Sequence, residues 1–155
     1  VRNSSMQRRL GATVEQVNLE DGATRSAEVM VSYNDRVWTV TDEHKTWTFT
    51  PSTGGRIEYI TGKVEQRPRD GDDYLPPEIA LFFPLSMRIW GGIPDDFRVA
   101  GAEAEGEGVR LALVALKDPR FTGSAFVNTK FGVMTEYVTP AQRFSVSDLS
   151  WLPRP

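Results

Sequence analysis

The sequence predicts an α+β fold dominated by β structure, an antiparallel sheet with one or two short helices on one side. Three observations predict it. Apolar residues recur with a period of two along most of the chain. Gly, Pro, Asn and Asp punctuate the alternating runs at short intervals. Helix signals are confined to one stretch, residues 76–90, which separates two blocks of strands. Strands, a helical insertion and more strands make a β-dominated layered fold.

The elements follow in order. Residues 1–9 are polar and read as a flexible N-terminal arm, and a less cleanly patterned strand follows near residues 11–19. Ala27, Val29, Val31 and Tyr33 then alternate with polar neighbours. Asn34-Asp35, a pair that tolerates positive φ, predicts a tight hairpin. Val37 to Thr41 is rich in β-branched and aromatic residues. Thr46, Thr48 and Thr50 alternate with Trp47 and Phe49, and the cluster Pro51 to Gly55 leads into a short strand, Arg56 to Ile60. Residues 27–60 are therefore a meander of four strands. Residues 61–75 hold Gly62, Pro68, Gly71 and many charges, and read as a mobile connector. Pro76-Pro77-Glu78 suits a first helical turn, Ile79 to Phe83 follows, and Pro84 ends or kinks the helix. Leu85 to Trp90 adds a helical turn or two before Gly91-Gly92. This run is too apolar to lie in water, so it must cover something. Strands resume near 96–100, 109–116, 125–129, 133–138 and 144–149, with Gly101 to Gly108 read as a loop. The expectation is about nine strands.

Composition bounds the chemistry. The 155 residues, with 39% hydrophobic and 25% charged, are ordinary globular usage and suggest one domain over residues 1–155. The absence of cysteine excludes disulfides and thiol chemistry. The single histidine, His44, excludes a multi-histidine metal site and lies in a polar turn with no nucleophile elbow to serve. The net charge of -3 argues against nucleic acid as a partner. The acidic groups Asp70, Asp72 and Asp73, Glu20-Asp21, Asp95-Asp96 and Glu103, Glu105 and Glu107 sit beside glycine or proline as solvated loops and lack calcium-loop spacing. Gly91-Gly92 and the glycines at 101, 106 and 108 do not form a phosphate cradle. No catalytic residue, metal site or cofactor is expected. The longest apolar region, Ile79 to Trp90, is broken by Pro84 and Arg88 and is no transmembrane segment. The N-terminus carries no export signal, so the expected compartment is the cytoplasm if the chain is complete and the cell envelope if a signal was trimmed.

What remains is apolar: many large aromatic side chains for a single sheet, available as core or as the lining of a pocket. The segments that carry a resemblance are Ala27 to Tyr33, Arg36 to Val40, Thr46-Trp47-Thr48-Phe49-Thr50-Pro51, the apolar insertion Leu75 to Trp90, Arg110 to Leu116, Ser124 to Thr129, Gly132 to Met134 and Phe144 to Leu149. In that order they resemble the bacterial half-barrel family of the lipoprotein carrier LolA, the mycobacterial lipoproteins LppX and LprG, and the N-terminal domain of the sigma-factor regulator RseB. The chain is also similar to uncharacterised actinobacterial proteins of this pattern. The resemblance implies a strongly curved antiparallel sheet, a half-barrel over about residues 10–151, with one or two short helices packed on its concave face. It implies no catalytic residue. Two departures stand out: there is no lipobox cysteine, and residues 1–9 are too few for the family's first helix.

Two functions are expected, the first preferred. One is non-catalytic binding of a hydrophobic ligand, a lipid or acyl chain, in a cavity between the sheet and the 76–90 helices. The ligand-facing residues would be Trp38, Trp47, Phe49, Leu81, Phe82, Phe83, Trp90, Leu111 and Leu113. The alternative is an RseB-like protein-interaction or sensor domain using the 79–90 apolar surface, in which the chain pairs with a partner or forms a homodimer. An enzyme with catalytic carboxylates rests on acid count alone and is not expected.

Overall fold

The computed structural model describes residues 9–67 and 75–152. Among the described residues the fold is β-dominated, a single antiparallel sheet of eleven strands that does not close. In chain order the strands are β1 (Arg9–Asn18), β2 (Thr24–Ser32), β3 (Val37–Thr41), β4 (Lys45–Thr50), β5 (Gly54–Tyr59), β6 (Val64–Arg67), β7 (Phe97–Glu105), β8 (Gly108–Ala115), β9 (Thr122–Asn128), β10 (Val133–Val138) and β11 (Gln142–Leu152). Helix α1 (Pro77–Ala80) and a 3-10 turn (Pro84–Ser86) stand between β6 and β7. The strand order is β6-β5-β4-β3-β2-β1-β11-β10-β9-β8-β7, so β6 and β7 are the end strands among the described residues.

The described residues gather into two compact units. The first holds residues 9–14, 26–67, 75–79 and 147–152, and the second holds 15–25 and 80–146. In the first unit the period-two pattern becomes one apolar face. Val31 stands opposite Trp38 and Val29 opposite Val40. Trp38 faces Phe49 and Val40 faces Trp47. Trp47 in turn faces Ile57, and Phe49 faces Gly55. The other face carries the cross-strand threonine pairs Thr39–Thr48 and Thr41–Thr46, so the Thr-x-Thr-x-Thr alternation in β4 separates hydroxyls from aromatics. At Gly55 a β-carbon would lie 3.1 Å from the Trp47 Nε1 and 3.1 Å from the Arg67 side chain, so these neighbours would have to give by a few tenths of an ångström.

In the second unit Leu111 pairs with Ala125 and Leu113 with Gly123 across β8 and β9. Ala125 meets Tyr137 on β10, and Tyr137 meets Phe144 on β11, where the two rings stack with centroids 6.2 Å apart. The opposite face is organised by Arg110. Its guanidinium donates to the Glu105 carboxylate at 2.9 Å and to Glu136, and lies over the Phe126 ring at 5.1 Å. One side chain thereby joins β7, β8, β9 and β10 on the side away from Leu111.

Several sequence expectations change. The connector over 61–75 contains strand β6, and residues 68–74 lie outside the described set. The loop expected from Gly101 is strand as far as Glu105, closed by the Gly106-Glu107 turn. The β2–β3 turn takes its positive φ at Arg36 rather than at Asn34-Asp35, while the Ser32 hydroxyl lies 3.2 Å from the Asp35 carboxylate. The arm expected over residues 1–9 falls outside the described residues except for Arg9, which opens β1.

Candidate functional site

The nine residues expected to face a ligand fall into the two units. Trp38, Trp47 and Phe49 form an aromatic cluster in the first. Trp38 is buried at 4% exposure, with the Phe49 ring stacked on it at 5.6 Å and the Trp47 ring edge-on at 5.5 Å. Register explains the cluster, since Phe49 is directly opposite Trp38 and Trp47 is the diagonal neighbour one pair along. Trp47 and Phe49 are half-buried.

Leu81, Phe82, Phe83, Trp90, Leu111 and Leu113 lie in the second unit. Leu81 and Phe82 are sealed from solvent, as are Leu111 and Leu113 on β8, while Phe83 is half-buried. Ile89, also at 0% exposure, belongs with them; the apolar run contained it, but nothing in the pattern separated it from its neighbours. The run is not one helix because Pro84 lacks an N–H and disfavours helical backbone at Phe83, which has φ -131° and ψ 66°. The chain therefore folds as a four-residue helix, a turn and a three-residue 3-10 turn. A backbone bond from the Met134 N–H to the Leu81 carbonyl, 2.8 Å, pins the segment to β10 beside the β-bulge between Met134 and Glu136.

Trp90 differs from the other eight. It is 42% exposed, and its indole N–H donates to the Pro84 carbonyl at 2.9 Å. Its orientation is fixed by the turn that carries it, and it stands at the surface. Leu85, at 86% exposure, and Ile93, fully exposed, stand with it outside the buried set.

The polar groups do not converge on the apolar residues. His44 sits in the β3–β4 turn, exposed, with its Nε2 3.3 Å from the Glu43 carboxylate. Burial raises the Asp42 carboxyl, but the His44 and Lys45 backbone N–H groups at 2.7 and 3.0 Å, with the positive charge of Lys45, outweigh it. The net position is below the usual carboxylate range. A shallow groove of about 300 Å³ runs beside this turn, lined by Asp42, Glu43, Lys45, Thr46, Glu58, Tyr59 and Ile60, and none of the nine residues lines it. Burial pushes the Tyr33 and Tyr137 phenols up to about 12, and the Asp96 carboxylate adds to the effect on Tyr137. Among the described residues no helix is long and apolar enough to cross a membrane.

No described protein family matches the sequence, and no curated protein does. Solved structures do resemble it. An uncharacterised conserved protein from Thermus thermophilus is 12% identical with a TM-score of 0.48, over 99% of this chain and 84% of that one. A chain of the Pseudomonas aeruginosa MucA/MucB complex is 13% identical with a TM-score of 0.43, over 99% of this chain and 55% of that one, so this chain spans about half its length. A LolA superfamily protein from Nitrosomonas europaea is 8% identical with a TM-score of 0.23, over 96% of this chain and 87% of that one. All three likenesses are at low sequence identity.

Proposed function

We propose that the protein is a non-catalytic binder of a hydrophobic molecule, a lipid or acyl chain. The ligand lies against the β8–β9 face of the second unit, beneath residues 81–90. One observation supports this reading: the buried apolar residues of the 81–90 segment are held by short, irregular structure. Leu81, Phe82 and Ile89 are wholly buried, yet they are held by a four-residue helix and a three-residue turn rather than by a long helix. The sheet residues beside Leu111 and Leu113 are small, Ala125 and Gly123. A ligand that moves the cover aside gains a smooth apolar floor, and burial of its own chain drives the exchange at about 25 cal/mol per Å². Phe83, half-buried at the margin of the cover, is the residue whose charge would be felt first.

The test is mass spectrometry of an organic extract of the purified protein against a mock purification. The expected result is an apolar molecule in stoichiometric amount, lost from the Phe83→Asp variant while its circular dichroism is unchanged. An empty extract from a well-folded protein refutes the proposal. The protein-interaction reading, with the 79–90 surface as the contact, would then take its place.

A further inference from the structure

We propose that β7 carries a barrier against edge-to-edge pairing with a second copy of this chain, and that Glu103 is its central residue. An end strand presents a row of backbone N–H and C=O groups with which another chain can pair. Among the described residues β7 bonds β8 on one side and ends the sheet on the other. Its far half is open on both faces as well, since every residue from Ala100 to Glu105 is exposed. Gly101, Ala102 and Ala104 carry no side chain bulky enough to hold a second strand away. On backbone and small side chains alone, this stretch is a template for its own copy.

Two features oppose that pairing. The first is the β-bulge between Val99 and Gly101, where the register with β8 shifts. A bulge bends the strand and twists its edge, so pairing cannot run straight from Phe97 to Glu105. The straight remainder is Gly101 to Glu105. The second feature is the charge on that remainder, where Glu103 and Glu105, two residues apart, project from one face.

Two identical antiparallel strands pair symmetrically about one residue, and the choice of centre fixes which residues face one another. Centred on Glu103, that carboxylate faces its own copy. Centred on Ala104, Glu103 of each chain faces Glu105 of the other. Centred on Glu105, that carboxylate faces its own copy. Like charges directly opposite destabilise a strand pair. Centres at Gly101 or Ala102 avoid these meetings only by running the pairing through the bulge. Arg110 does not relieve the charge. It stands opposite Glu103 on β8, yet its guanidinium donates to Glu105 at 2.9 Å and to Glu136. One guanidinium therefore serves a face with three carboxylates, and Arg98 lies on the far side of the bulge. Glu103 has no ion pair or side-chain hydrogen bond among the described residues, so its charge is left for whatever approaches the edge.

The test is sedimentation equilibrium of the full chain at neutral pH and low salt. Glu103→Lys is the informative variant, because a register centred on Ala104 then sets an ammonium against each Glu105 carboxylate. Glu103→Gln removes the charge at constant size and serves where charge reversal disturbs the strand. Glu20→Lys, exposed on the β1–β2 turn, makes the same change of charge elsewhere. The parent and Glu20→Lys should sediment as monomers. Glu103→Lys should dimerise at a concentration at least about tenfold lower than the parent, with Glu103→Gln between them, and added salt should weaken the Glu103→Lys dimer. Hydrogen exchange locates the contact, since the outward backbone N–H groups between Gly101 and Glu105 should slow in the associated variant. If both Glu103 variants sediment as the parent does, the inference is overturned, because charge is then not what keeps the edge unpaired. A parent already dimeric through β7 overturns it too, as does an associating variant whose β7 amides stay fast. The readout needs no ligand, so it stands apart from the ligand-binding proposal.

Discussion

Truncating Phe82 to alanine tests whether the cover over the second unit is packed core. Phe82 is 1% exposed. A buried phenylalanine hides about 150–250 Å², worth roughly 4–6 kcal/mol at about 25 cal/mol per Å². Alanine recovers part of this, and partial collapse of the site recovers more, so the expected loss is about 3–5 kcal/mol. For a chain of this size that is roughly 8–15 °C in Tm. Phe83→Ala is the internal comparison, and half-burial predicts a loss of about 1 kcal/mol. The assay is urea unfolding followed by tryptophan emission, with the slope of free energy against urea unchanged in both variants. A loss for Phe82→Ala no larger than that for Phe83→Ala would refute the reasoning, because a side chain sealed by its neighbours cannot be removed so cheaply. A changed slope would point instead to a native state that has opened.

Gly108→Ala places a β-carbon 2.1 Å from the Val127 carbonyl oxygen and 2.7 Å from the Phe126 ring, so β8 and β9 must part by about 1 Å. The expected cost is about 2–3 kcal/mol. Gly101→Ala, whose β-carbon meets Ala112 at 3.9 Å, should stay within about 0.5 kcal/mol in the same denaturation assay. Asp42→Ala removes an acceptor for two backbone N–H groups and should cost about 1 kcal/mol at neutral pH. The folded carboxyl lies below its unfolded position, so its contribution is complete above the unfolded pKa and lost as pH falls through the folded one. The gap between parent and variant should therefore close at acid pH, and a gap that widens would reverse the sign of the argument. Tyr33 and Tyr137, raised to about 12, should ionise late in an ultraviolet titration. Their stabilising effect is whole below pH 10 and fades between about pH 10 and 12, and Tyr137→Phe should remove one late proton.

The meander β2–β5 was legible because its two faces differ. Val29, Val31, Trp38 and Val40 are buried where alternation places them, and the threonines take the other side. Strand β6 was not legible, because Val64-Glu65-Gln66-Arg67 has one apolar residue and no period, and an edge strand needs neither. The far half of β7 was hidden for a related reason. Gly101-Ala102-Glu103-Ala104-Glu105 has little intrinsic strand preference, and pairing with Ala112, Leu111, Arg110, Val109 and Gly108 holds it extended. At the candidate site, hydrophobicity marked the 79–90 segment but not the side each residue takes. Phe82 and Trp90 read alike in sequence. The Trp90 indole donates to the Pro84 carbonyl and Trp90 stays at the surface, whereas Phe82 is buried, and the local pattern encodes neither outcome.

The ligand proposal has a consequence for ligand length. If a ligand displaces the cover, the burial of Leu81, Phe82 and Ile89 is lost, at about 1.5–3 kcal/mol for each side chain, or roughly 5–9 kcal/mol together. A ligand methylene returns about 0.8 kcal/mol when buried. A chain of about eight carbons returns roughly 6 kcal/mol, which falls within the range of the loss and leaves at most about 1 kcal/mol, short of the ordering cost of association. A chain of about sixteen carbons returns roughly 13 kcal/mol and exceeds it. Binding should therefore begin sharply between these lengths in a calorimetric series of fatty acids. Phe82→Ala should shift the onset to shorter chains, because part of the displaced burial is already gone. Equal affinity for the short and long acids, or an onset that Phe82→Ala leaves in place, would show that ligand and cover do not compete for the same floor.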